Sequence, residues 1–119
     1  MEKAPTEEKA LRRNQRRRVP RISVDSPDIL TWGRKQFRCQ ARQLSEFGIF
    51  VGSTHHELVG ENVQVNVTLE SSTPPLSLLG IVIYATDSGL GIRFEDVTPE
   101  HHASLKSYVQ ARGIGVVKP

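Results

Sequence analysis

Apolar and polar residues alternate with period two from Ile22 onward, which predicts strands rather than helices. Ile22 and Val24 alternate with Ser23 and Asp25, and Ile29, Leu30 and Trp32 follow after Ser26-Pro27-Asp28. Proline cannot donate to a strand ladder, so Pro27 argues against one uninterrupted central strand. Phe37, Cys39 and Ala41 alternate with Arg38, Gln40 and Arg42, a strand with one buried face. Phe47 to Val51 is a short apolar run bounded by Gly48 and Gly52, and Val63, Val65, Val67 and Leu69 form the cleanest alternation. Ser71 to Pro75 reads as a turn or loop. Leu76 to Ala85 is a longer apolar strand, and Ser88-Gly89 turns it back through Gly91 to Phe94. About six short strands at close spacing favour a small antiparallel barrel or sandwich.

One segment has helical character. Thr98 suits an N-cap, Pro99 the first helical position, and Glu100 the positive end of the dipole. Leu105, Tyr108 and Val109 stand at i, i+3 and i+4, and Gly113 is the expected stop. The organisation expected is a tail over residues 1–15, a β domain with closing helix over 16–112, and a C-terminal tail over 113–119.

At 119 residues, with 37% apolar and 24% charged positions, the chain holds one small core plus tails. No apolar run approaches the roughly 20 residues of a membrane helix, and no secretory h-region opens the chain. Cys39 is the sole cysteine, which excludes an intramolecular disulfide and points to a reducing cytosol. The net charge of +3 is lopsided. Residues 1–21 carry eight basic and three acidic side chains, a net of +5, while the other 98 carry eight and ten, a net of −2. A basic head on a neutral body is suited to meeting an anion.

Catalytic chemistry is not recognisable. His55-His56 and His101-His102 are sequence neighbours that point apart, a poor start for a metal chelate. Ser45 lacks a nucleophile elbow, and Cys39 falls on the apolar face of a strand, where a packed thiol is expected. No catalytic residue, metal site or cofactor is expected. Two features remain. One is the strap Arg17-Arg18-Val19-Pro20-Arg21, preceded by Arg16. Guanidinium forks bind phosphate oxygens in a bidentate way and donate to the guanine O6/N7 edge, and Pro20 holds Val19 extended. The other is the turn Gln43-Leu44-Ser45-Glu46-Phe47-Gly48, with a carbonyl, a hydroxyl and a glycine that permits close backbone approach.

In this order the two features resemble the PilZ domain family. Its pattern is Arg-x-x-x-Arg before the first strand, here Arg17 to Arg21, then Asp/Asn-x-Ser-x-x-Gly, here Gln43 to Gly48. Gly80 to Tyr84 and Gly89 to Phe94 are similar to the family's last hairpin, and Thr98 to Val109 to its closing helix. The resemblance implies a mainly β fold, a six-stranded antiparallel barrel with one C-terminal helix, and binding of the bacterial second messenger cyclic di-GMP. It also implies the site. Arg17 and Arg21 would clamp phosphate and guanine edges, with Arg16 and Arg18 adding charge or stacking. Ser45 would hydrogen-bond a guanine or phosphate oxygen, and Gly48 would let the turn pack tightly. Tyr84 is a minor candidate, since family members can carry an aromatic near the bound guanine. Gln43 departs from the pattern. A carboxylate accepts from guanine N1–H and N2–H as a charge-assisted pair, and its loss costs about 1.5–3 kcal/mol.

Three functions follow for comparison. The first is a non-enzymatic cytoplasmic receptor that signals to a partner protein in motility, type IV pilus or biofilm control. The second is a protein–protein adaptor on the same fold, with a weakened nucleotide site. The third, nucleic-acid binding through the basic head, is disfavoured by a body of net −2 and only 6% aromatics.

Overall fold

The computed structural model describes residues 21–69 and 74–117, with side chains as far as residue 112. The sequence readings for residues 1–20, including Arg16, Arg17 and Arg18, lie outside it, as does most of the expected Ser71–Pro75 loop. Six strands form: β1 (Ile22–Trp32), β2 (Lys35–Leu44), β3 (Gly48–Gly52), β4 (Asn62–Val67), β5 (Leu76–Thr86) and β6 (Gly89–Glu95). They close into an antiparallel barrel in the order β1-β2-β3-β6-β5-β4. One helix, α1 (Pro99–Val117), follows β6, and a short 3-10 turn, His56–Leu58, lies between β3 and β4. Of the two architectures the alternation allows, the chain adopts the barrel.

The inward rows fill its interior. Leu30, Val51, Val65, Val82 and Leu90 are wholly inaccessible, and Cys39 and Ala41 face the same core. Burial pushes the Cys39 thiol up to about 12, with the Asp28 charge adding to it, so this cysteine is a packing residue. Leu58 of the 3-10 turn plugs the end of the barrel towards which β3 runs, and Leu105 and Val109 of α1 cover the other. Thr98 caps α1 as its sequence suggests: its Oγ1 accepts from the His101 N–H at 3.1 Å.

Two boundaries differ from the sequence reading. β1 runs unbroken through Pro27, which pairs with Gln40 of β2. Only Ile29, Leu30 and Thr31 pair with β4, so the proline lies where β1 has a single strand neighbour and its missing N–H breaks no second ladder. The helix passes through Gly113 to Val117. An interior glycine weakens a helix by about 1 kcal/mol relative to alanine but does not block it as proline does.

Where the β1–β4 ladder ends, a side chain continues the seam. Asp28 is 3% exposed, and its Oδ1 accepts from the Thr68 N–H at 3.2 Å. Its Oδ2 is buried with no partner among the described residues. Burial pushes the carboxyl up to about 6, and the bonds from Thr68 and Ser26 only partly oppose this. A raised folded-state pKa means that the protonated acid stabilises the barrel. That contribution is complete below the ordinary value of 3.8 and is lost as pH rises through 6. Urea denaturation of wild type and Asp28→Asn, which keeps an acceptor for Thr68, will expose it. From about pH 4 to about pH 7.5 the wild type should lose on the order of 1–3 kcal/mol relative to the variant. Parallel pH profiles would contradict this account of Asp28.

Candidate functional site

The turn from β2 to β3 is built around Ser45. Its N–H donates to the Gly48 carbonyl at 2.9 Å. Its Oγ accepts from the Phe47 N–H at 3.1 Å and the Gly48 N–H at 3.2 Å. The hydroxyl oxygen is therefore spent on shaping the turn, a role the sequence reading did not assign. What it retains for a ligand is the proton, whose nearest acceptor is the Gly48 carbonyl at 3.5 Å. Gly48 has the tight packing expected of it: a Cβ there would lie 2.5 Å from the Ile92 carbonyl oxygen. The Phe94 N–H donates to the Phe47 carbonyl at 2.9 Å, fastening the turn to β6. Glu46 fastens it to α1 through a 2.9 Å contact between its Oε1 and His102 Nε2, and the His102 ring also lies 5.9 Å from that of Phe47.

A bulge decides what faces outward beside this turn. Simple alternation would send Gln43 inward after Ala41. Instead Ala41 pairs with Val51 and Gln43 with Phe50, leaving Arg42 as the extra residue. β1 answers with its own irregularity, since Ser23 pairs with Gln43 but Ser26 with Ala41. Arg42 and Gln43 are consequently both exposed, and Leu44 returns to the core. A second bulge at Ile83, between Val82 and Tyr84, turns Ile83 and Tyr84 out together.

These shifts align one row across five strands. Ser23, Gln43, Phe50, Gly91 and Tyr84 are successive lateral neighbours. The Tyr84 ring lies over Gly91, where any Cβ would collide with it. Its plane is 25° from that of Phe50, with centroids 6.2 Å apart. The result is an aromatic shelf next to an exposed amide. Tyr84 is 43% exposed, so it packs on its neighbours while still presenting a face.

Arg21 stands immediately before Ile22, whose partner is Leu44, so the chain emerges beside Ser45 with Arg21 exposed. The structure thus brings together Arg21, Gln43, Ser45 and Gly48. Phe50 and Arg93 were missed by sequence reasoning. Arg93 pairs across from Gly48, and its Nε and Nη2 donate to Glu95 Oε2 at 3.1 and 2.9 Å. A glycine on the outward row of β6, opposite an aromatic, was the readable signal for the shelf. The remaining histidine of note, His55, lies elsewhere, 4.1 Å from the Phe37 ring and 3.1 Å from Glu57.

A model of the PilZ domain matches residues 15–111. Among solved structures, the chain is similar to the Bacillus subtilis inhibitor of motility, MotI or DgrA. That match has a TM-score of 0.67 and 14% identity and covers 82% of this chain and 50% of that one. It is also similar to Escherichia coli YcgR in complex with c-di-GMP, with a TM-score of 0.64, 20% identity, and coverage of 85% and 47%. The PilZ domain of YcgR with c-di-GMP matches with a TM-score of 0.62 and 16% identity over 85% of this chain and 94% of that one. The chain thus spans about half the length of the first two proteins. No curated protein sequence matches it.

Ser45→Ala removes the acceptor for two backbone donors and should destabilise the domain by about 1 kcal/mol in urea denaturation. Gly48→Ala should destabilise it by about 1–3 kcal/mol, because the clash is with backbone that cannot step aside. Wild-type stability in both variants would show that the turn is held by other contacts.

Proposed function

Because the chain belongs to the PilZ domain family, we propose that it is a non-enzymatic receptor for cyclic di-GMP acting through a partner protein. The observation that carries the reading is the convergence of Arg21, the Ser45 turn and the outward row Gln43–Phe50–Gly91–Tyr84 on one face. The ligand has two phosphates, which suit guanidinium forks, and two guanines, which suit an aromatic shelf and side chains that read base edges. Arg21 clamps phosphate or a guanine edge, together with Arg17 and with Arg16 and Arg18 alongside. Ser45 donates its proton to the ligand while its oxygen holds the turn. Gly48 keeps the backbone close to β6. Gln43 offers one neutral carbonyl to guanine N1–H or N2–H. Tyr84 provides a stacking face.

Ligand binding would present a new surface to the partner protein, and the cytoplasm is where such a messenger is met. The similarity to an inhibitor of motility supports motility as the output, and pilus or biofilm control are the other outputs the family resemblance implies. Among the described residues no helix is long and apolar enough to cross a membrane. Gln43 favours one second reading, a protein–protein adaptor on the same fold with weak nucleotide binding. The neutral amide loses the charge-assisted pair a carboxylate makes.

Calorimetric titration separates the two. The receptor binds cyclic di-GMP with micromolar affinity and ignores GTP. Arg21→Ala weakens binding by about tenfold or more without changing the melting temperature, because Arg21 is exposed outside the core. Gln43→Asp restores a charge-assisted acceptor and tightens binding by up to about tenfold. No heat up to about 1 mM ligand would overturn the receptor reading in favour of the adaptor.

A further inference from the structure

Arg42 has no place in the motifs, yet the bulge sets it beside Gln43 on the same exposed surface, one residue from the outward row. Consecutive strand residues ordinarily face opposite ways, and here two polar side chains share a face because Leu44 takes the inward position. Arg42 is held loosely. Its Nη1 lies 3.7 Å from Asp25 Oδ1, with the two side chains 56% and 78% exposed. The same Asp25 oxygen already accepts a 2.6 Å bond from Gln40 Nε2. Among the described residues, a guanidinium with five donors is thus engaged at one long contact with a carboxylate that has a better partner. Exposed pairs of this kind contribute about 0–1 kcal/mol, so exchanging the partner is nearly free. On β3, Gly52 lies under the side chain, with Nε 3.4 Å from where a Cβ would stand. A glycine there leaves the side chain room to move.

We propose that Arg42 is a ligand-contacting residue of this site, which leaves Asp25 to take a phosphate of the cyclic dinucleotide in a two-point contact. The inference rests on the receptor reading and adds to it a cation that the strap does not supply. A phosphate offers the guanidinium fork the bidentate geometry that Asp25 does not. The contact adds attraction for a doubly anionic ligand at the phosphate, and it leaves the guanine contact to the neutral carbonyl of Gln43. Asp25 then acts as the competitor that sets the affinity.

The test is calorimetric titration of cyclic di-GMP into wild type, Arg42→Ala, Arg42→Lys, Asp25→Asn and the Asp25→Asn/Arg42→Ala double variant. Arg42→Ala should weaken binding about tenfold. It should also flatten the fall in affinity between about 50 and about 300 mM salt. Arg42→Lys, a point charge without the fork, should fall between the two. Asp25→Asn should tighten binding about two- to fivefold by releasing the guanidinium, and the gain should vanish in the double variant. Arg42→Ala binding within about twofold of wild type, at an unchanged salt dependence, would overturn the inference and leave the receptor reading intact. Should Arg42→Ala lower the melting temperature, Asp25→Asn decides, and no gain in affinity overturns the inference. A wild-type protein that does not bind cyclic di-GMP would overturn both.

Discussion

The antiparallel pairing of β1 with β2 is the constraint on which the site depends. Its last rung, Ile22 with Leu44, brings the end of the basic head to the start of the Ser45 turn. The two segments lie more than twenty residues apart and have no local reason to meet. A two-residue hairpin at Gly33-Arg34, with Gly33 at φ 62°, sets the register at the far end. Inward burial of Ile22, Leu30, Cys39 and Ala41 then maintains it. A slip by one residue would turn these side chains to solvent, so the price of misalignment is the core itself. The bulge at Arg42 is tolerated within that pairing because β1 carries an irregularity at the same level.

Closure of the barrel imposes the second constraint. β1 and β4 share only three paired residues, and beyond them Asp28 takes over with a side-chain bond to Thr68. A buried carboxyl with one oxygen unpartnered is an expensive way to continue a seam. α1 covers the same region, with Leu105 and Val109 in the core beside Ile22, and it also holds Glu46 of the turn through His102. The helix, the first strand and the turn therefore form one connected unit. A contact made at Arg21 or Ile22 bears directly on the turn, whereas the opposite end, closed by Leu58, lies at the far end of the strands.

Most of the strands were readable because one-sided burial leaves a period-two signature, clearest in Val63, Val65 and Val67, all buried. The Thr98 cap and the tight approach at Gly48 were readable because each depends on one residue type. Pro27 misled because its penalty depends on how many strand neighbours the segment has, which only the closed barrel reveals. Gly113 misled because glycine lowers helix propensity without forbidding it. The bulge at Arg42 shows in the sequence only as two polar residues between Ala41 and Leu44, and that at Ile83 is hidden in a continuous apolar run. Gly91 hinted at the shelf, but the row across five strands emerged only with the structure. Alternation left barrel and sandwich open, and the choice between them came from family resemblance.

The central claim is that this one face, and not another part of the barrel, receives a cyclic dinucleotide. Amide proton–nitrogen correlation spectra recorded during a titration with cyclic di-GMP test it residue by residue. The account predicts that Arg21, Gln43, Ser45 to Gly48, Phe50, Gly91 and Tyr84 shift, while Trp32 to Lys35 and His55 to Glu61 at the far end stay in place. Shifts centred on the far end, or none at saturating ligand, would contradict it.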